Sequence, residues 1–275
     1  MQAKSKRTGL LLALGIAIAA PSLAAAADPV MAPVDLPSAQ SAKGSTWYVR
    51  GELGAAWIAE DRGYWWGPGG PPDDPRITFN LDTDTAWIGA VALGMEFMDG
   101  VRADFSLGYV GESDVDADWI SASDGSPGPH ADIDASVSAF TGMLNLFVEP
   151  LAMAGNNGPF QPFVTGGIGF ARVEMDEWTR TRARALQPVR RWSGNEEVNF
   201  AWAIGAGIAA DIGTVLNRSA YLDLTYRYSD LGNVSGGTAP TFPGPPPSNS
   251  PTEPFNFDYR THAVTIGFRM PLGPQ

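Results

Sequence analysis

Four arginines and five carboxylates are the residues of this 275-residue chain with the strongest chemistry: Arg50, Glu52, Glu96, Arg102, Asp104, Asp211, Asp223, Arg227 and Arg269. A guanidinium offers a planar fork that can bond two carboxylate oxygens at once. Charges removed from water must pair, because an isolated buried charge is very costly. The set therefore suits an ion-pair network. Other chemistry is sparse. With no cysteine there is no disulfide framework, thiolate metal site or Cys nucleophile. Two histidines, His130 and His262, are too few for a His-based zinc centre. Eighteen Lys+Arg against thirty Asp+Glu leave a net charge of −12, which argues against nucleic-acid binding. Asp114, Asp116 and Asp118 echo a calcium loop, but Gly125 stands where the closing Glu is required. His262 has Arg260 and Val264 as same-face neighbours and no Ser, so no nucleophile–base pair is formed. The expectation is a chain with no catalytic centre, no cofactor and no metal.

Eight segments position these residues, and each alternates with the period of a strand. Segment 46–58 sets Trp47, Val49, Leu53 and Trp57 against Tyr48, Arg50, Glu52 and Ala56. Segment 84–97 sets Trp87, Val91, Leu93 and Phe97 against Ala86, Ala90, Gly94 and Glu96. Segment 101–112 sets Val101, Phe105, Leu107 and Tyr109 against Arg102, Asp104, Ser106, Gly108 and Glu112. Segments 199–212, 221–230 and 259–270 read in the same way, while 134–148 and 160–174 are noisier because Gly and Ala occupy both faces. The mean hydropathy of −0.09 excludes a helical membrane bundle but not a barrel, whose strands average apolar and polar faces.

The links between segments alternate in length. Met98–Gly100, the stretch around Gly155–Gly158 and Gly213–Ala220 are short, while the other four exceed twenty residues. That is the layout of an outer-membrane barrel with periplasmic turns and extracellular loops. The fold class expected is all-β, an eight-stranded antiparallel up-and-down transmembrane barrel over residues 46–270. A soluble β-sandwich also alternates, but it shows polar residues on its second face, whereas Gly and Ala dominate here and suit a narrow lumen. Trp47 and Trp57, ten residues apart on one face, span roughly the 25 Å apolar band. With Trp87 and Trp202 they are the expected aromatic girdles.

Lys4, Lys6 and Arg7, then the twelve-residue apolar run Gly9–Ala20 and the small residues up to Ala27, read as a cleaved signal peptide over residues 1–27. Its removal takes three cations and no anion, leaving −15. Residues 28–45 read as a Pro-, Ala- and Ser-rich periplasmic linker, and 271–275 as a C-terminal tail.

Four stretches carry a family resemblance: TWYVRGELGAAW over 46–57, PFQPFVTGGIGF over 159–170, YLDLTYRYSDL over 221–231 and HAVTIGFR over 262–269. They resemble the small outer-membrane surface antigens of the porin-like or opacity-type barrels. The resemblance implies eight strands in a Gram-negative outer membrane, assembled by the barrel assembly machinery, with neither cofactor nor catalytic centre. One departure is visible: such chains commonly end on an aromatic residue, whereas this one continues through Pro271, Leu272, Gly273, Pro274 and Gln275.

With the N-terminus in the periplasm, most of the nine charged residues share one low level inside the barrel. Eight strands leave an interior that side chains just fill, so a plug is expected. The alternative is a solvated lumen that passes small solutes at low conductance. Above that layer the inward residues shrink, as at Ala56, Ala90, Gly108, Gly167 and Ala203, giving either a wet vestibule or room for folded-in loops. Tyr64, Trp65 and Trp66 in the first loop either meet a partner or pack on themselves. Arg180, Arg182, Arg184, Arg190 and Arg191 in the third are candidates for lipopolysaccharide phosphates, or a solvated charged loop. The functional expectation is a surface-exposed structural barrel that supports envelope integrity and touches host or neighbouring surfaces.

Overall fold

The computed structural model describes residues 46–66, 76–122, 131–182, 190–241 and 254–272; the expected signal segment 1–27 and linker 28–45 lie outside the described residues, as do residues 273–275. The elements are β1 (Thr46–Ile58), β2 (Arg62–Trp66), β3 (Arg76–Thr83), β4 (Ala86–Met98), β5 (Val101–Ala122), β6 (Ala131–Val148), α1 (Pro150–Met153), β7 (Phe160–Met175), β8 (Trp178–Arg182), β9 (Arg190–Trp192), β10 (Asn195–Val215), β11 (Arg218–Ser235) and β12 (Asn256–Pro271).

Eight of these strands form a closed antiparallel ring. The order is β1–β4–β5–β6–β7–β10–β11–β12, and β12 returns to β1. The seam runs from Tyr48↔Pro271 to Ile58↔Thr261, and Leu272 N–H donates to Trp47 C=O at 2.6 Å just beyond it. All eight expected segments are strands of this ring. Closure leaves no unpaired edge among these eight strands, as a sheet surrounded by lipid requires.

The ends on the short-link side turn tightly. Asp99-Gly100 joins β4 to β5, with Gly100 at φ +77. Leu216 and Asn217, at φ 52 and 61, join β10 to β11 in the positive-φ geometry of a two-residue hairpin. The link over Gly213–Ala220 is thus mostly strand, shorter than the sequence reading drew it.

The long links differ more. The pairing continues well beyond the expected strand ends, so each wall segment rises past the girdle into an outer extension. The hairpin β2–β3 takes over from β1–β4 there, β2 meeting β12 at Asn256↔Tyr64 and β3 meeting β5 from Thr83↔Val115 to Ile77↔Ala122. Strand β8 continues β7 along β6, and β9 pairs with β8. Backbone bonds from Ser193 N–H to Ala239 C=O and from Thr241 N–H to Arg191 C=O join β9 to the segment after β11.

At one level, six of the eight wall segments shift by one residue. The shifts fall across 59–61, 84–85, 176–177 and 193–194, at Val110/Ser113 in β5 and at Asp230/Asn233 in β11. A one-residue slip turns every following side chain to the other face. In β5 it sends Glu112 outward, where the unbroken alternation had placed it in the lumen, and brings Ser113, Val115 and Ala117 inward. Asp114, Asp116 and Asp118 consequently lie exposed along one outward face.

Candidate functional site

Below this collar the outward face is apolar. Leu53, Val91, Leu144, Ile168, Ile204, Leu224 and Ile266 are all exposed there, as expected for a surface that meets lipid. The inward face holds the charged layer. Arg50 pairs with Glu52 and, through Nε, with Asp104 at 3.0 Å. Arg227 reaches Glu52 over the single intervening strand β12 at 3.3 Å. Arg102 pairs with Asp223 at 3.5 Å, and Arg269 meets the same carboxylate at 3.5 Å. Seven of the nine residues singled out in the sequence meet in this way.

Three further groups complete the layer. Glu149, in the turn before α1, accepts from Arg102 Nε at 3.2 Å and lies 3.7 Å from Arg269. The Tyr48 hydroxyl donates to Asp104 at 3.1 Å, and the Asn145 amide donates to the same carboxylate at 2.8 Å. Four arginines then balance Glu52, Asp104, Glu149 and Asp223, so the layer is neutral. Phe147 lies under Arg102, 3.9 Å from guanidinium carbon to ring centroid, with Phe163 packed against Phe147. A planar cation stacked on an aromatic face loses less on leaving water than a free one. Tyr48 stood on the inward face in the sequence alternation. Asn145 and Phe147 lay in a segment blurred by Gly and Ala, and Glu149 precedes a proline outside any strand, where alternation carries no signal.

Glu96 lies opposite Arg102 in the β4–β5 register, and Asp211 accepts from Gly213 N–H at 2.7 Å. Both line a pocket of about 260 Å³ at the mouth on the short-turn side, together with Asp99, Glu149, Gln161, Tyr221 and Arg269.

Above the charged layer the lumen narrows to Ala, Gly and Thr, and above the collar it becomes apolar. Trp65, Phe79, Ile133, Met175, Trp178, Trp192, Phe255 and Phe257 are buried in one cluster continuous with Ala56, Ala203 and Ala263 below. Trp178 and Trp192 stack at 4.3 Å between centroids, and Trp178 Nε1 donates to Gly237 C=O at 2.9 Å. Such ring pairs and their burial stabilise a core beyond simple area. In place of the open vestibule, one of the two outcomes expected from sequence, the first loop's Trp65 and the third loop's Trp178 pack inside.

The tryptophans Trp47, Trp57 and Trp87 are exposed on the outward face, and Trp202 is partly so. Trp57 stacks on His262, whose Nδ1 lies 2.7 Å from the Tyr226 hydroxyl, and Trp202 packs on Tyr228. Just beyond these rings, outward Arg260 meets Asp230, Glu60 and Asp258, while Arg172 pairs with Glu196. This change from rings to ion pairs marks the outer limit of the apolar band.

The arginines of the third loop diverge. Arg180 is buried with its guanidinium 4.0 Å from the Trp65 ring centroid, so it does not present a charge to the outside as expected. Arg191 is exposed and 3.4 Å from Glu177, and Arg190 is partly exposed. Arg182 closes β8 in the backbone, its side chain outside the described residues, and Arg184 lies outside them altogether.

Comparison with known proteins shows the family. A family model described as the outer membrane protein beta-barrel domain matches residues 10–270. An uncharacterized protein of Brucella suis is 31% identical over 240 residues, spanning 79% of this chain and 78% of its own length. Outer membrane protein PagN of Salmonella typhimurium is 29% identical over 151 residues, spanning 54% of this chain and 58% of its own. The crystal structure of OprG from Pseudomonas aeruginosa aligns over 85% of this chain and 98% of its own, with 14% identity and a TM-score of 0.49.

Proposed function

Because this chain belongs to the outer-membrane β-barrel protein family, we propose that it is a closed, surface-displaying barrel of a Gram-negative outer membrane, neither an enzyme nor a pore. It is exported by the signal segment 1–27 and inserted by the barrel assembly machinery. It anchors among lipopolysaccharide and contributes to envelope integrity. Its outer extension is the part that meets host or neighbouring surfaces.

The observation that carries this reading is the double filling of the lumen. A neutral layer of four arginines and four carboxylates fills the lower half, and a buried aromatic cluster fills the extension. Water crossing the barrel would have to separate buried ion pairs below and enter an apolar core above, each of which is costly. The outer arginines Arg172, Arg191 and Arg260 would exchange their carboxylate partners for phosphate oxygens of lipopolysaccharide.

Planar-bilayer recording of the purified wild-type chain tests the closed state. The expected trace is a flat baseline with brief, irregular openings. A steady nanosiemens-scale conductance would return the molecule to the class of low-flux channels. Deletion of the β2–β3 hairpin tests the display role, with an expected loss of cell-surface adhesion at unchanged outer-membrane abundance.

A further inference from the structure

On the short-link side of the ring, β12 runs on past its ladder with β11. That ladder ends at Tyr221↔Arg269. Strand β12 continues along β1 to Tyr48↔Pro271 and to the bond from Leu272 N–H to Trp47 C=O at 2.6 Å. Proline has no N–H, so Pro271 can donate to neither neighbour. On the β11 side a side chain takes the place of the ladder. Arg218 Nη1 donates to the Pro271 carbonyl at 3.3 Å and to the Leu272 carbonyl at 2.5 Å.

The β10–β11 hairpin places this arginine. Arg218 follows the two-residue turn Leu216–Asn217 directly and pairs with Val215 across it. The turn is closed by local contacts, so Arg218 has its position without help from β1. A charged donor on a carbonyl makes a stronger bond than a neutral one. Past Arg269, the backbone pairing of β12 is with β1 alone. Before β1 docks, the guanidinium is therefore what fastens this end of β12 to the rest of the sheet.

We propose that Arg218 is a positioning residue for ring closure, a strap that holds the end of β12 extended so that Leu272 N–H meets Trp47 C=O as β1 arrives. The strap acts before the seam exists. It therefore speeds closure, beyond any strength it adds to the closed ring. The two roles leave different kinetic traces. A contact already made in the transition state appears in the folding rate, whereas one made afterwards appears in the unfolding rate.

The test is refolding of the urea-unfolded full chain into lipid vesicles, with closure followed by the appearance of heat-modifiable migration on gels. Arg218→Ala should close about three- to tenfold more slowly than wild type, given the worth of bonds from a charged donor. Its unfolding rate at high urea should stay within about twofold of wild type. Arg218→Lys, which keeps a cationic donor, should recover part of the closure rate. Leu272→Pro removes the N–H that meets Trp47 and should also slow closure. Combined with Arg218→Ala it should add less than its separate effect, because both act on one end of one strand. Arg172→Ala, an arginine lost from the far side of the apolar band, should close at the wild-type rate. Closure of Arg218→Ala at the wild-type rate, with or without faster unfolding, overturns the proposal. Equal slowing in Arg172→Ala also overturns it, since the effect would then be one of net charge. If Arg218→Ala does not close at all, Arg218→Lys decides: slower closure supports the strap, and wild-type closure overturns it. These rates are read whether or not the barrel conducts, so either reading can fail alone.

Discussion

The membrane-embedded half and the outer extension are built from the same eight wall segments, yet they are opposite in polarity. Strand β5 shows the reversal within one element. Below the collar Phe105, Leu107 and Tyr109 face outward and Arg102, Asp104 and Ser106 face in; above it Asp114, Asp116 and Asp118 face outward and Val115 and Ala117 face in. Lipid accepts apolar side chains and water accepts carboxylates, so the surrounding solvent, rather than the strand, decides which face may be charged. Strand β6 makes the same change without a register shift. Its outward residues pass from Asp134, Ser136 and Ser138 to Phe140, Leu144 and Leu146, and its inward ones from Ile133, Ala135 and Val137 to Thr141, Asn145 and Phe147. Two devices, a slip of the frame and a rewriting of the residues, therefore reach one result.

Deleting Gly111 attacks this contrast directly. Without the extra residue, Asp114, Asp116 and Asp118 turn inward and three carboxylates are buried, each at several kcal/mol. The extension should become fully protease-sensitive in limited digestion, while the membrane half still shows heat-modifiable migration. Next in size is Arg102→Met, which leaves Asp223 and Glu149 buried without this cation and should cost about 3–5 kcal/mol in urea unfolding from lipid vesicles. Adding Glu149→Gln to that variant should restore part of the loss. A smaller effect separates the two outward surfaces: Leu144→Arg, within the apolar band, should destabilise by about 2–4 kcal/mol, whereas Ser138→Arg above it should change stability little.

The smallest effect is one of pH. Asp116 is held above the usual aspartate range, first by partial burial and then by its hydrogen bond to Asp134 and the charges of Asp134, Asp82 and Asp114. A carboxyl raised in the folded state holds its proton more tightly there than when unfolded. Its contribution therefore favours the extension at low pH and fades as pH rises from about 3.9, the unfolded value, through the folded one. Proteolysis of the extension should accordingly quicken slightly over that interval, and Asp134→Asn should flatten the profile. An unchanged slope in that variant would assign the pH response elsewhere.

The membrane half was legible in the sequence because lipid demands an unbroken alternation of apolar residues, as in Trp47, Val49, Leu53 and Trp57. The charged layer followed, since Arg50, Glu52, Arg102, Asp104, Asp223, Arg227 and Arg269 stand on the opposite parity. Glu149 escaped because it lies in a turn, and position in a turn is set by backbone geometry instead of by period. The extension escaped for a different reason. Each slip, as at Val110/Ser113, restarts the alternation in the other frame, and the inward-facing apolar residues are then separated by outward aspartates that resemble a loop. Trp65, Trp178 and Trp192 were visible as aromatic residues, but nothing local states that segments more than a hundred positions apart meet in one core. Arg180 shows the same limit, since only the fold places it on Trp65.

The seam between β1 and β12 carries a consequence for how the ring is made. It pairs Tyr48 with Pro271 and Ile58 with Thr261, so its contacts join positions more than two hundred residues apart. Bringing such distant ends together costs more chain entropy than forming the adjacent hairpins, whose strands are separated by a few residues. Hairpins such as β10–β11 should therefore appear first and the seam last. Until it forms, β1 and β12 each expose an open edge that could accept another chain. The interval before closure is when this protein is most prone to aggregate, and when an assembly factor that holds one of those two edges would speed its maturation most.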